Sequence, residues 1–258
     1  RHMVRSLYTA CTGMVHQMNR LDVVTNNMAN SDTTAYKKEG STSQSFDSVY
    51  GIKINDSSVN YIHQNIGRMS LGVKVGETYT DYGDGNLEET EQLYDMALSG
   101  KGFFAISYAD RNGNESVRYT RDGNFTVNSQ GVLVTKDGDF VLAEDGGLIN
   151  IPEGVKISVD ESGRITADGQ EIAQLQLVDF EDYNYLKKFG ENMYIAIDGA
   201  TTTDAQCKVY QGYLEASNVN VVTEMVDMIT ITRDYESNQK VIQTIDSTLE
   251  KSVALGRV

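Results

Sequence analysis

The residues that could support catalysis or bind a metal are few in this sequence. Beyond the second residue the histidines are His16 and His63, and they lie far apart in the chain. The two cysteines, Cys11 and Cys207, show neither the CxxC spacing of a redox motif nor the spacing of a zinc site. A nucleophilic triad or a zinc centre therefore lacks the residues it needs. We expect both cysteines to be free thiols.

Two short segments resemble ligand-binding loops but depart from them at defined positions. The run Gly100–Phe104 lacks the third glycine of a dinucleotide loop and the Gly-Lys-Ser/Thr of a phosphate-binding loop. The run Asp110–Asn114 begins like a calcium loop, but Glu115 stands where glycine is needed and Arg121 stands where glutamate is needed. We therefore predict a turn at 110–114. We predict no catalytic residue, no cofactor and no metal, so the chain is not expected to be an enzyme.

Charge is distributed unevenly along the chain. Of the net charge of −15, residues 41–212 carry −14, whereas residues 1–40 carry +2 and residues 213–258 carry −3. Nucleic-acid binding relies on clustered lysine and arginine, so no nucleic-acid partner is predicted. No apolar run approaches the roughly 18 residues that a membrane helix requires, so membrane insertion is not predicted. No cleavable secretion signal is expected either.

Glycine divides the chain into three parts. Gly13 is the one glycine between residues 7 and 35, and none occurs from 219 to 255, whereas nearly all the others lie between 40 and 212. This distribution is typical of helical ends that enclose a middle of short strands and turns. We predict an N-terminal helix with a signature segment at 4–40, a β-rich domain at 41–212 and a C-terminal helix at 213–258.

The N-terminal helix is predicted by a stripe whose intervals alternate between three and four residues. The stripe consists of Val4, Leu7, Cys11, Met14, Met18, Leu21, Thr25 and Met28. A repeat of about 3.5 residues is typical of the seam along which helices pack in a coiled coil. The predicted subunit-packing residues of this helix are Leu7, Met14, Met18, Leu21 and Met28.

A second stripe follows the C-terminal helix. Its predicted subunit-packing residues are Val221, Met225, Met228, Ile231, Tyr235, Ile242, Ile245 and Leu249, with Asn238 as a polar interruption. Asn220 is a predicted N-cap, and Glu224 suits the positive end of the helix dipole. A single stripe more often marks a helix packed on its own domain. Because one helix pair leaves much of two stripes uncovered, we favour packing between copies of the chain.

The middle of the chain is typical of an antiparallel sheet. Short apolar runs separated by turns begin at Phe103, Val117, Phe125, Val132 and Phe140, and further strands are predicted at 155–159 and 173–180. Strands every 8–12 residues with Asx-Gly turns favour antiparallel pairing. The predicted fold class is α+β, with long N- and C-terminal helices in a coiled-coil-like layer and a central antiparallel β-rich domain.

Four segments in the same order resemble signatures of the flagellar rod, hook and hook-associated proteins. They are Asn26–Lys37 (NNMANSDTTAYK), Gly100–Phe104 (GKGFF), Tyr119–Phe125 (YTRDGNF) and Tyr213–Lys240, which contains SNVN and RDYESNQK. In this sequence Ala35 replaces the family's usual glycine, and Asp234 replaces a common small residue. The resemblance extends from about residue 5 to residue 255.

The resemblance implies a structural subunit of the bacterial flagellar basal body, located in the cell envelope, in the periplasmic or cell-wall zone. It implies a homo-polymer built through the terminal helices, contact with other rod and hook proteins, and torque transmission from motor to hook. It also implies export by the flagellar type III apparatus. The length and the run Gln211–Tyr213 are most similar to distal-rod subunits. A proximal-rod or hook-like subunit is the nearest alternative, and a secreted β-domain binding protein or enzyme is a more distant one.

Overall fold

The computed structural model describes residues 2–53, 64–110, 115–152 and 154–255. His63 and the predicted turn beyond Asp110 lie outside these residues. The chain forms two compact units, a helical unit (residues 1–29, 39–81 and 220–258) and a β-rich unit (residues 30–38 and 82–219). The predicted domain division into 4–40, 41–212 and 213–258 stays a prediction.

Two long helices belong to the helical unit. Helix α1 spans His2–Ala29 and helix α2 spans Val221–Leu255. Neither contains proline, which would remove a backbone hydrogen bond. Asn220 caps α2 as predicted, because its side-chain Oδ1 accepts a hydrogen bond from the backbone N–H of Thr223 at 3.1 Å.

The predicted coiled-coil-like layer is wrong. Among the residues that the structure describes, α1 and α2 are the two α-helices, and they form one antiparallel pair. Gln17 faces Asp234 and Asn27 faces Glu224, so residues farther along α1 meet residues farther back along α2. None of the predicted packing residues of α1 is buried.

The face of α1 that packs in the pair is displaced from the predicted seam by one residue. Ala10, Val24 and Asn27 are buried, and each stands directly before a stripe position. One residue corresponds to about 100° around a helix, so the seam faces another direction. The displacement has a steric reason: a Cβ on Gly13 would lie only 3.1 Å from Nδ2 of Asn238, so glycine lets α2 approach closely.

Four strands complete the helical unit: β1 (Glu39–Ser45), β2 (Val49–Lys53), β3 (Gln64–Met69) and β4 (Val73–Thr80). Strand β1 pairs antiparallel with β4, and β2 pairs antiparallel with β3. Helix α1 packs on the β1–β4 ribbon. The buried ring of His16 makes a hydrogen bond of 2.8 Å between its Nε2 and Oγ of Ser43 in β1. Burial and the nearby Arg20 lower the pKa of His16, which favours the neutral ring.

The β-rich unit contains sixteen described strands and one 3-10 turn, Tyr183–Tyr185. The strands are β5 (Leu87–Glu89), β6 (Met96–Lys101), β7 (Phe103–Ala109), β8 (Glu115–Thr120), β9 (Phe125–Val127), β10 (Leu133–Thr135), β11 (Phe140–Val141), β12 (Ile157–Val159), β13 (Arg164–Ala167), β14 (Gln170–Gln174), β15 (Leu177–Phe180), β16 (Leu186–Phe189), β17 (Met193–Ala196), β18 (Thr202–Asp204), β19 (Gln206–Gln211) and β20 (Tyr213–Glu215). The predicted run 173–180 is divided between β14 and β15.

All strand pairs of this unit are antiparallel, as predicted. The largest sheet has nine strands in the order β16-β17-β8-β7-β11-β10-β9, with β15 paired to both β7 and β18. Strands β12, β13 and β14 form a second sheet, β6 pairs with β19, and β5 pairs with β20.

An apolar core stabilises the β-rich unit. Its centre includes Phe104, Ile106, Leu133 and Ile165, whose side chains have no solvent exposure. A second, aromatic cluster surrounds Phe103 and includes Phe180, Leu186 and Tyr194. Burial on this scale is the main favourable term in the folding of a domain. The β-rich unit therefore has a core of its own.

Candidate functional site

The predicted packing residues of α1 lie at the edge of the helix pair or outside it. Leu7, Met14, Leu21 and Met28 are half-buried, and Met18 is exposed. Among the side chains of this helix that the structure describes, residues 6–29, the most exposed apolar ones are Tyr8, Val15 and Met18, and Cys11 is exposed between them. These four residues follow one another at intervals of three and four, so they form one stripe along the helix.

The predicted packing residues of α2 divide into two groups. Ile231 is buried, and Val221, Met228, Tyr235, Ile242 and Ile245 are half-buried, so these side chains point towards the rest of the helical unit. Met225 and Leu249 are exposed. The α2 stripe is thus partly used within the chain.

A second apolar stripe of α2 contains predicted Met225 together with three residues that were not predicted. Val222, Met225, Val226 and Ile229 occupy neighbouring positions of the first turns and are all exposed, Val222 by 71%. Positions three and four apart lie on the same side of a helix, so the four side chains form one patch. The spacing of Val222, Val226 and Ile229 is a signal for this patch, but the predicted stripe shares only Met225 with it.

Polar side chains occupy much of the contact between α1 and α2. Nδ2 of buried Asn27 donates to Oε2 of buried Glu224 at 3.3 Å, and Nε2 of Gln17 donates to Oδ2 of Asp234 at 3.1 Å. Asn27 also pairs with the backbone of Glu39, accepting from its N–H at 2.9 Å and donating to its carbonyl at 2.8 Å. Asp234, which departs from the family signature, therefore has a partner within the chain.

A second site, in the β-rich unit, was not predicted from the sequence. Lys37 and Glu215 are fully buried, and Nζ of Lys37 lies 2.6 Å from Oε1 of Glu215. The Lys37 ammonium also donates to the carbonyl of Gly83 at 2.7 Å, and Oε1 of Glu215 accepts from the N–H of Gly85 at 2.9 Å. Burial lowers the pKa of Lys37, while Glu215 opposes that shift.

Buried Arg121 links this pair to Asp84, whose side chain is 55% exposed. Its Nε lies 3.5 Å from Oε2 of Glu215, its Nη1 donates to Oδ1 of Asp84 at 2.7 Å, and its Nη2 donates to the carbonyl of Gly100. Lys37, Asp84, Arg121 and Glu215, which we term the charge cluster, contain two cations and two anions. Lys37, Arg121 and Glu215 come from three different signature segments of the sequence.

Backbone hydrogen bonds join the same segments. The N–H of Ala35 donates to the carbonyl of Glu215 at 2.7 Å, and the N–H of Asn218 donates to the carbonyl of Tyr36 at 3.4 Å. Oδ1 of Asn218 accepts from the N–H of Lys38 at 2.7 Å. Residues 30–38, directly after α1 in sequence, are therefore held beside residues 215–218, directly before α2.

Ala35 adopts a backbone conformation that favours glycine. Its φ is +56°, in the left-handed region, and its side chain is buried. A left-handed conformation costs a residue with a Cβ about 1–2 kcal/mol. Ala35 stands where the resembling family usually has glycine, and the structure shows why glycine suits that position.

The described residues offer little for other chemistry. Among them no group of three or more His, Cys, Asp or Glu is placed to hold a metal ion. Cys11 and Cys207 are both free, as predicted, and burial raises the pKa of the Cys207 thiol. Over the same residues, no helix is long and apolar enough to span a membrane.

Family models of known proteins match three regions of the chain. Three family models match in order: flagella basal body rod protein over residues 7–37, flagellar hook protein FlgE/F/G D1 domain over 97–167, and flagellar basal body rod FlgEFG protein C-terminal over 210–255. Lys37, Arg121 and Glu215 fall one in each of the three matched regions.

Curated proteins match nearly the whole chain. The flagellar basal-body rod protein FlgG of Buchnera aphidicola subsp. Schizaphis graminum is 33% identical over 96% of this chain and 98% of its own length. FlgG of Agrobacterium fabrum is 34% identical over 94% of this chain and 96% of its own length. The rod protein FlgF of Caulobacter vibrioides is 34% identical over 97% of this chain and 96% of its own length. The chain belongs to the flagellar basal-body rod protein family. Members of this family are parts of the flagellar basal body in the cell envelope.

Proposed function

We propose that the chain is a structural subunit of the flagellar rod, at the distal-rod position, and that it assembles with copies of itself into a torque-transmitting shaft. Its similarity to FlgG proteins over nearly the full length supports the rod assignment. The observation that carries self-assembly is the exposed apolar surface of the two helices. Its role is mechanical, and catalysis has no part in it.

The exposed apolar stripes supply the contact surface. Tyr8, Val15 and Met18 on α1 and Val222 and Val226 on α2 are each more than half exposed in the single chain. Contiguous exposed apolar surface is typical of protein–protein contact sites. Covering one such side chain contributes roughly 1.5–3 kcal/mol, and a polymer repeats that contribution at every subunit.

The predicted subunit-packing residues remain part of this proposal. Met18, Met225 and Leu249 are exposed and are available to a neighbouring subunit without any rearrangement. Leu7, Met14 and Leu21 are half-buried, so a neighbour would cover their remaining surface. The proposed contact requires only that apolar side chains of α1 and α2 be covered by other subunits.

The hydroxyl groups of α2 are compatible with a covered helix. Those of Thr230, Thr232, Thr244, Thr248 and Ser252 each donate to the carbonyl four residues earlier, at 2.7–2.9 Å. A neighbouring subunit can therefore cover these side chains without leaving an unsatisfied donor, which would cost about 1–3 kcal/mol.

Assembly with other rod and hook components follows from membership of the family. The D1 match also names hook protein FlgE, which supports a shared architecture among axial subunits. We propose export by the flagellar type III apparatus as well, on the resemblance of the signature segments.

One observation favours a second position in the rod. FlgF of Caulobacter vibrioides is as identical to this chain as the FlgG proteins are. Expression of the chain in cells that lack either FlgG or FlgF distinguishes the two positions. Restored motility in the strain without FlgG alone supports the distal assignment, and restoration in the strain without FlgF alone contradicts it.

Charge placed on the exposed stripes tests the self-assembly proposal. We expect Met18→Asp and Val226→Asp to abolish incorporation into rods, because a covered carboxylate must be desolvated or protonated. Both side chains are exposed in the single chain, so the purified variants should keep the circular dichroism and melting temperature of the wild type. The measurement is motility with electron microscopy of isolated basal bodies.

Asn19→Asp provides the matched control. It adds the same charge to α1 at an exposed position that is already polar. Normal rods in Asn19→Asp and absent rods in Met18→Asp support the contact surface. Normal rods in both stripe variants would show that the stripes do not contact neighbours.

A further inference from the structure

We propose that the charge cluster of Lys37, Asp84, Arg121 and Glu215 is a latch that positions the segment following α1 and the segment preceding α2, and that subunits must close it in order to assemble. The assembly part of this inference rests on the proposed function. The positioning part concerns the isolated chain and stands independently.

The charged residues of the cluster come from distant positions in the sequence. Lys37 is separated from Glu215 by 178 positions in sequence, yet their side chains are in direct contact at 2.6 Å. Arg121 lies in the strand-rich middle, directly after β8, and reaches the other oxygen of the same carboxylate. The closed cluster therefore requires both segments and the region directly after β8 to come together within the β-rich unit.

Separating Lys37 from Glu215 while either stays buried would be unfavourable. Removing one partner of a buried ion pair is strongly unfavourable, because the other charge stays buried without compensation. Lys37 and Glu215 are fully buried, so an open cluster must release at least one of them to water. The closed cluster is therefore favoured over an arrangement in which one of these charges stays buried alone.

The residues around the ion pair pack closely against both segments. A Cβ on Gly85 would lie 1.9 Å from the carbonyl oxygen of Ala216, so the segment before α2 packs directly on a glycine. Nζ of Lys188 lies 3.9 Å from the centre of the Tyr36 ring and adds a cation–π contact to the segment after α1. Both segments are fitted to the unit on each side of the ion pair.

Stability alone does not explain why charged side chains occupy this buried position. Buried ion pairs are often replaceable by apolar residues without loss of stability, so they are weak evidence for a stabilising role. Their best-supported role is to select one arrangement among several. In this chain the arrangement selected is the position of residues 30–38 against residues 215–218.

Hydrogen exchange on the full-length wild type and on Lys37→Met tests the latch. We expect the amides of residues 30–38 to exchange at least about tenfold faster in the variant, because Ala35 and Lys38 donate to residues 215 and 218 only in the closed state. Amides of β7 and β8 should exchange at the wild-type rate. The same variant should fail to enter rods although its apolar stripes are unchanged.

Lys208→Met is the matched control. Lys208 also belongs to the β-rich unit and pairs with Glu161 at 2.8 Å, but both side chains are 59% exposed. Its loss should change neither the exchange of residues 30–38 nor assembly. If Lys37→Met does not fold, Glu215→Gln decides, because the amide keeps the shape and still accepts from Gly85 while the charge is lost.

The outcomes separate the latch from the proposed function. Faster exchange confined to residues 30–38, together with loss of assembly, supports the latch. Unchanged exchange of these residues overturns it, and so does loss of protection throughout the β-rich unit in both variants, which would make the cluster ordinary core. Failure of the wild type and Lys208→Met to assemble would contradict the proposed function and leave the exchange result as the test of positioning.

Discussion

The β-rich unit and the helical unit differ in what they bury. In the β-rich unit the buried centre is apolar, with Phe104 and Leu133 free of solvent exposure. In the helical unit the buried side chains of the helix pair include Asn27, His16 and Glu224, whereas Tyr8 on the same pair is 64% exposed. The β-rich unit combines an apolar core with the buried ion pair of Lys37 and Glu215, whereas the helix pair leaves long apolar stripes exposed.

This difference indicates that the two units reach their final burial at different stages. Apolar burial is the main driving force of folding, so the β-rich unit has what it needs within one chain. The helix pair is fixed by small residues and hydrogen bonds and still exposes apolar surface. Its remaining apolar area is exposed in the single chain, which suits a subunit of a polymer.

The largest effect should come from the core of the β-rich unit. We expect Phe104→Ala to lower the free energy of unfolding by about 3–5 kcal/mol, because it leaves a cavity among fully buried side chains. Met18→Ala should change it by less than about 0.5 kcal/mol, since that side chain is exposed. Urea unfolding of both variants gives the comparison, and equal losses would remove the distinction between the units.

The polar interior of the helix pair predicts the next effect. Asn27→Ala removes two hydrogen bonds with the backbone of Glu39 and one with Glu224, all in a buried setting. We expect a loss of about 1–3 kcal/mol from the helical unit. The thermal melt of the helical signal in far-ultraviolet circular dichroism measures it, with exposed Asn19→Ala as the control. A melt like that of the wild type would mean that the pair does not depend on its polar contacts.

A smaller effect is expected at Ala35. Replacement by glycine removes the steric cost of the left-handed backbone at this position. Two effects oppose that gain: a buried methyl group is lost, and the unfolded chain gains conformational entropy. We expect a net stabilisation of up to about 1 kcal/mol in urea unfolding. Ala35→Val should instead destabilise the β-rich unit, because a β-branched side chain tolerates positive φ poorly. Stabilisation by valine would contradict the assigned backbone conformation.

The smallest effect should be a pH dependence confined to the helical unit. The pKa of His16 is lowered in the folded chain, so the unfolded state binds a proton first as the pH falls below about 6.5. Stability from the neutral, buried ring is present above that pH and is lost as the pH falls towards the lowered pKa. Melts of the helical signal between pH 8 and pH 5 should show the loss, and His16→Gln should weaken it. An identical pH profile in that variant would exclude His16 as the cause.

The two long helices, the cap at Asn220 and most strands followed from local patterns. Glycine spacing, an apolar repeat and Asx-Gly turns are short-range signals, so single-sequence reasoning detects them. The direction of the α1 seam did not follow, because hydrophobicity pointed to Met14 and Met18 while the close approach at Gly13 selected the adjacent face. A small residue such as Gly13 gives little indication in the sequence of which helix face will pack, although it strongly affects how closely two helices can approach.

The charge cluster could not be predicted from spacing. Lys37, Arg121 and Glu215 are each unremarkable surface-type residues in their own segments, and only the three-dimensional path of the chain brings them together. A signal was present in one respect: each lies inside a signature segment that the resemblance had already singled out. The signatures were informative about identity and uninformative about mutual contact.

In the proposed rod, neighbouring subunits cover the exposed stripe of α1 formed by Tyr8, Cys11, Val15 and Met18, and Cys11 is an exposed free thiol on that stripe. Alkylation with a maleimide can be compared between isolated subunits and purified basal bodies, with half-buried Cys207 of the β-rich unit as an internal reference. We predict rapid modification of Cys11 in the isolated subunit and strong protection in the rod. Equal reactivity of Cys11 in the two states would show that the stripe remains exposed to solvent in the rod, so neighbouring subunits would not cover it.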